Sequence, residues 1–152
     1  MSYLLLTITI FFLEYYIKQH MDKIRTSKQQ RPLASGKIVL KKYHNTGAAG
    51  NFLQSHPKWV KNLHLSALLT VFAAFICIRR QKGAGMAKTG IALLAGGGLS
   101  NLYDRLTKGY VVDYVSFGFG PKWFRRLVFN LADFFVFLGI GLCMIQVLWK
   151  NK

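Results

Sequence analysis

Acidic residues are nearly absent from this chain of 152 residues. It carries only Glu14, Asp22, Asp104, Asp113 and Asp133 against 21 lysines and arginines, a formal net charge of +16. Surface solubility scatters many acids, so five argue for another use, and three of them fall between Asp104 and Asp133. Cysteine is also scarce. Cys77 and Cys143 both lie inside apolar stretches, which excludes a disulfide framework and a metal-ligand spacing. The histidines, His20, His44, His56 and His64, form no i, i+4 pair and adjoin no carboxylate cluster, which argues against zinc. Metal-free chemistry is therefore expected. The basic residues sit mostly between long apolar stretches rather than on one face, which argues against nucleic acid and for charge beside a membrane.

What is abundant is apolar. The apolar share is 52% and the aromatic share 14%, and the mean hydropathy is +0.25, as in a small membrane protein with polar loops. The length suits one domain, residues 1–152. Four apolar segments stand out, at about 3–17, 59–78, 84–103 and 127–149, each near the ~20 residues that cross a bilayer as a helix. The first is short and could be extended by Tyr15, Tyr16 and a snorkelling Lys18. Trp59, Trp123 and Trp149 mark segment edges, where interfacial aromatics collect. The first segment lacks the basic start and the small-residue cleavage site of a signal peptide. "LASG", Leu33 to Gly36, resembles a lipoprotein cleavage box, but no cysteine follows.

The third segment is rich in glycine and alanine, which let helices approach closely in lipid. It ends in "SNLYDR", where Asn101, Asp104 and Arg105 share a helix face, and Arg105 is expected to hold the Asp104 charge. The loop from Pro32 to Pro57 contains "KIVLKKY", Lys37 to Tyr43, with strand character, and then "HNTGAAGNFL". Gly47 and Gly50 there permit close backbone approach, or serve an ordinary turn.

The fourth segment, "VFNLADFFVFLGIGL", places Asp133 early in a span, about 9 Å in if the helix starts at Leu127. An ionisable residue there is a functional-site hypothesis. Asp113 in "YVVDYV" is the nearest acid not already paired in sequence. If the third and fourth segments are antiparallel neighbours, the excursion between them brings Asp113 near Asp133. Two carboxylates together in low dielectric share a proton, and such a dyad can activate water and protonate a leaving group. Asn130, three residues before Asp133, could bond either a carboxylate or substrate. Two unrelated interfacial acids are the competing account.

"NTGAAGNFL", "GGGLSNLYDRL", "GYVVDYV" and "FNLAD" occur in order, and "LEYYIK" precedes them. Over nearly its whole length the chain resembles the lipoprotein signal peptidases (signal peptidase II), four-helix membrane aspartic peptidases. The resemblance implies an all-α membrane protein with four transmembrane helices and a small extracytoplasmic β-cradle in the first loop. It implies Asp113 and Asp133 as the catalytic dyad. Asn45, Gly47, Asn101, Arg105 and Asn130 would order the site, with Asp104, Glu14 and Lys18 in support. No metal or cofactor is implied. The substrates would be diacylglyceryl prolipoproteins, cut before the lipidated cysteine at the outer face of a bacterial cytoplasmic membrane, with membrane lipids, anionic ones among them, as further partners. The chain departs from the family pattern in four places. Glu14 and Tyr15 stand for Asp-Gln, Gly50 for an aromatic, and Ser100 for glycine.

With both termini cytoplasmic, only Arg79, Arg80, Lys82, Lys88, Lys150 and Lys152 lie inside, which opposes the positive-inside rule. Two other classes compete with the peptidase. One is a non-catalytic paralogue that binds lipidated peptides, and the altered "LEYYIK" and "LSN" leave room for it. The other is a small channel or transporter, which would need acids along the span, whereas residues after Asp133 are apolar down to Gln146.

Overall fold

The computed structural model describes residues 3–24, 30–48 and 53–150. The elements run α1 (Tyr3–Ile24), β1 (Gln30–Leu33), β2 (Ile38–Asn45), α2 (Pro57–Ile78), α3 (Gly85–Thr107), β3 (Val111–Phe117), α4 (Lys122–Arg126) and α5 (Leu131–Lys150). The chain is mostly helical with one three-stranded antiparallel sheet, ordered β1-β2-β3. Two helices, α2 and α5, are long and apolar enough to cross a membrane by length and composition. α1 and α3 are as long but spend part of their length on charged and small residues.

α3 is the central helix, packed against α1, α2 and α5. Its composition explains this. Successive residues on a helix point about 100° apart, so Gly96, Gly97 and Gly98 face three neighbours. A Cβ on Gly96 would lie 2.8 Å from Ile10 of α1, one on Gly97 2.5 Å from the Ala132 carbonyl of α5, and one on Gly98 2.8 Å from Leu68 of α2. Gly90 and Gly139 make a second backbone contact between α3 and α5. The small-residue segment is thus a packing core, as the sequence suggested. Because Ala132 precedes Asp133, Gly97→Ala should push the start of α5 away. We expect a loss of about 1–3 kcal/mol in stability from overpacking, read by thermal unfolding in detergent. An unchanged melting temperature would mean the helix contact is slack.

Several sequence expectations need correction. α1 continues to Ile24 rather than ending near Ile17, because its polar residues turn inward: Glu14 and Lys18 are fully buried. Lys18 therefore does not snorkel. α5 starts at Leu131, not Leu127, because Phe129 is extended and bridges Val115 of β3 in both directions. Asp133 is consequently in the first helical turn, not 9 Å down a span. The cradle is not confined to the first loop either, since β3 comes from the segment after α3.

β3 is buried almost throughout, between β2 on one edge and Phe129 on the other. The pairing of β2 with β3 slips between Leu40 and Tyr43, so Tyr43 stands opposite Asp113. Bulges of this kind re-aim side chains beside functional sites. α1 and α3 both contact β3, and α5 starts directly after the bridge from Phe129 to β3. Most of the buried polar residues belong to these elements and to Asn130 beside them.

Candidate active site

Asp113 and Asp133 line one cavity of about 280 Å³, together with Asn45, Asn101 and Arg105. Each of the four carboxylate oxygens receives a hydrogen bond. Asp113 accepts from Asn130 Nδ2 at 2.7 Å and from Asn45 Nδ2 at 2.9 Å. Asp133 accepts from Asn101 Nδ2 at 2.9 Å and from the Asn130 backbone N–H at 3.0 Å.

The asparagines can play this part because each has its own oxygen occupied. An amide whose carbonyl is already accepting presents its NH2 in a fixed direction. Asn45 Oδ1 accepts from Gly47 N–H at 3.0 Å. Asn101 Oδ1 accepts from Lys18 Nζ at 2.7 Å and from Asn130 Nδ2 at 3.1 Å. Asn130 Oδ1 accepts from Asp133 N–H at 3.1 Å. With the reverse bond from Asn130 N–H to Asp133, this last contact is a capping box at the start of α5. Asn130 thus precedes the helix rather than sharing a face with Asp133.

Around this inner set stands a buried charge cluster. Lys18 Nζ lies 3.6 Å from Glu14 and 3.4 Å from Asp104, and donates to Ser100 Oγ at 3.0 Å. Asp104 also meets Lys108 at 3.1 Å and accepts from Val112 N–H at 3.3 Å, which ties down the residue before Asp113. The expected Arg105–Asp104 pair is not formed. Arg105 instead donates to the backbone carbonyls of Gly47 at 2.7 Å and Asn45 at 3.4 Å, so it clamps the loop that carries Asn45. The i, i+1 spacing sends adjacent helical side chains in different directions, which is why sequence adjacency misled.

All ten residues singled out from sequence join this network, although Gly50 lies outside the described residues. Three participants were missed. Ser100 was seen only as a departure from a pattern, yet its hydroxyl serves the Lys18 ammonium. Tyr114 was visible as a phenol beside Asp113 in an apolar run, and a buried phenol needs a partner. His64 of α2 lines the cavity, and no local pattern marked it.

Burial, followed by the charge of Asp133, raises the pKa of Asp113 from 3.8 to about 7. Near neutrality the pair therefore holds a proton. The side chains that contact the two carboxylates are amides, and among the described residues no group of three or more His, Cys, Asp or Glu could hold a metal ion.

Comparison with known proteins gives this geometry a context. The lipoprotein signal peptidase of Mesorhizobium japonicum is 31% identical over 152 residues, 99% of this chain and 88% of the relative. That of Neisseria meningitidis serogroup C is 38% identical over 110 residues, 72% of this chain and 66% of the relative. Two solved bacterial membrane enzymes share the fold. One superposes with a TM-score of 0.85 at 22% identity, covering 99% of this chain and 89% of the other. The second gives 0.75 at 19%, covering 96% and 92%. The family model described as Signal peptidase (SPase) II spans residues 6–149, and on that match the chain belongs to the signal peptidase II family.

Proposed function

We propose that this protein is a membrane aspartic endopeptidase that removes signal peptides from diacylglyceryl-modified prolipoproteins, cutting just before the lipidated cysteine. The observation that carries the catalytic assignment is the pair of carboxylates in one cavity, each oxygen held by a donor that does not titrate. With one proton between them, the ionised partner takes a proton from water, and the oxygen attacks the scissile carbonyl. The neutral partner gives its proton to the carbonyl oxygen. The resulting diol collapses as a proton passes to the departing nitrogen. The first proton belongs to the coupled pair, and burial of Asp113 keeps it there up to about pH 7. Asp133 stands at the N-terminus of α5, where the helix dipole favours its charge.

The cavity also suits a lipid-bearing substrate. Val60 and Leu63 of α2 and Val136 and Phe137 of α5 give it an apolar flank beside the dyad. In this reading α1, α2, α3 and α5 all cross the bilayer as one domain, both termini are cytoplasmic, and the sheet end lies at the outer face of a bacterial cytoplasmic membrane. Trp123, 66% exposed, with Lys122, Arg125 and Arg126 around it, would rest among anionic headgroups. The test is incubation of the purified protein with a diacylglyceryl prolipoprotein, in vesicles with and without anionic lipid. A mature product beginning at the modified cysteine is expected, faster with anionic lipid. An uncut substrate would end the peptidase reading, and equal rates in both vesicles the headgroup reading.

A pH dependence follows from Asp113. Turnover should fall above about pH 7, by roughly ten-fold per unit once the shared proton is lost. Stability moves in the same direction. The folded state binds the Asp113 proton more tightly than the unfolded chain, so this stabilisation is complete below pH 3.8 and is lost as pH rises through about 7. Asp113→Asn should flatten the melting temperature across that window. A slope unchanged by the substitution would show that another group carries it.

A further inference from the structure

The first turn of α5 is capped from elsewhere in the fold. The first N–H groups of a helix have no partner within it. Here Leu131 N–H donates to the Tyr114 hydroxyl at 3.1 Å, and that hydroxyl donates to Glu14 Oε1 at 2.6 Å. Asp133 N–H goes to Asn130. So β3 reaches across to hold the turn that carries Asp133, and α1 holds the phenol that does so.

Glu14 has no exposed surface. Its distance of 3.6 Å from Lys18 exceeds hydrogen-bond length, and the Lys18 donors go to Ser100 and Asn101. Its charge is therefore balanced by the nearby Lys18 ammonium, while its hydrogen bond comes from the Tyr114 hydroxyl. The O–H···O distance of 2.6 Å is in the range of a charge-assisted bond. Tyr114 follows Asp113 on a strand, where neighbours point to opposite faces. It cannot share the substrate face with Asp113 and acts through the backbone.

We infer that Glu14 and Tyr114 are a positioning pair that sets where Asp133 stands relative to Asp113. One phenol connects the chain neighbour of the first aspartate to a backbone amide two residues before the second. Glu14 anchors that phenol to α1, and it stands where the family pattern has aspartate. A side chain one methylene shorter on the same backbone would fall short of the Tyr114 hydroxyl. The departure at this position is thus a different way of fastening α5. The inference rests on the dyad assignment made above.

Tyr114→Phe removes the hydroxyl and little else. We expect kcat per folded molecule to fall roughly ten-fold with KM within about two-fold, since a small misplacement of a catalytic group weakens the chemical step and not substrate binding. Glu14→Asp should give the same split. The double variant should be no worse than the poorer single, because both changes break one connection. A purely structural role would lower the melting temperature and leave kcat of the folded fraction intact. An unchanged kcat for Tyr114→Phe, or single losses that multiply in the double variant, would overturn the inference. If Glu14→Asp does not fold, Tyr114→Phe decides alone. The dyad stands or falls separately: an active Asp113→Asn removes it, whereas an inactive Asp113→Asn beside a normal Tyr114→Phe removes only the positioning pair.

Discussion

Asp133→Asn should lower turnover of a lipidated peptide by about 10³-fold or more, and Asp113→Asn should do the same, because each removes one half of an acid–base pair whose members contribute ~10²–10⁴-fold. Neither change should prevent folding. At position 133 the amide keeps one acceptor for the Asn101 NH2 or the Asn130 N–H, and presents a donor to the other. That mismatch costs about 1–3 kcal/mol, offset in part by removing a buried charge. At position 113 the new amide meets two NH2 groups, and Asn45 cannot turn to suit it without losing Gly47. Asp113→Asn is therefore expected to be the less stable of the two at low pH, by an amount that shrinks as pH rises from 3.8 to about 7 and the variant escapes the cost of ionising Asp113. The double variant should be about as inactive as either single, since groups acting as one unit do not contribute independently. Near-normal turnover by folded Asp133→Asn would reduce Asn130 to Asp133 to an ordinary polar helix start.

How much of this was legible beforehand depends on the range of the interaction. The two aspartates stood out because carboxylates are so rare here that position alone marked them. The glycines of α3 were legible because composition is enough to indicate close helix packing. The roles of Asn45 and Asn101 were legible only through family resemblance, since nothing local says which carboxylate an amide will face; Asn130 was marked by its spacing to Asp133. What misled was short-range pairing. Arg105 follows Asp104 directly, yet it reaches back to the Asn45–Gly47 backbone, and Asp104 finds Lys18 and Lys108 instead. The start of α5 was misjudged because Leu127 to Asn130 are apolar enough to read as span, while the bridge from Phe129 to Val115 holds them extended. Hydropathy does not register a strand edge that needs covering. Tyr114 escaped for a related reason: its partner Glu14 lies a hundred positions away in the chain.

Lys18→Met should be the most destabilising single change in the charge cluster. The Lys18 ammonium is 1% exposed and stands between two buried carboxylates. Removing one partner of a buried ion pair costs about 3–5 kcal/mol, because the charge left behind has neither water nor counterion. An exposed lysine such as Lys122 gives the comparison, and Lys122→Met should stay within about 0.5 kcal/mol of wild type. The two acids are not equally dependent on Lys18. Asp104 keeps Lys108 at 3.1 Å, whereas Glu14 has no second cation in contact among the described residues. Adding Glu14→Gln to Lys18→Met should therefore restore more stability than adding Asp104→Asn. Activity should fall with either background, because Asn101 loses the donor that fixes its amide, and its NH2 need no longer face Asp133. Lys18→Arg should not rescue, since the larger guanidinium has no room at a fully enclosed position. Thermal unfolding of the purified variants in one detergent measures the first effect, and turnover per folded molecule the second. If Lys18→Met melted with wild type, the ammonium would not be compensating Glu14, and that carboxyl would have to be neutral in the folded protein.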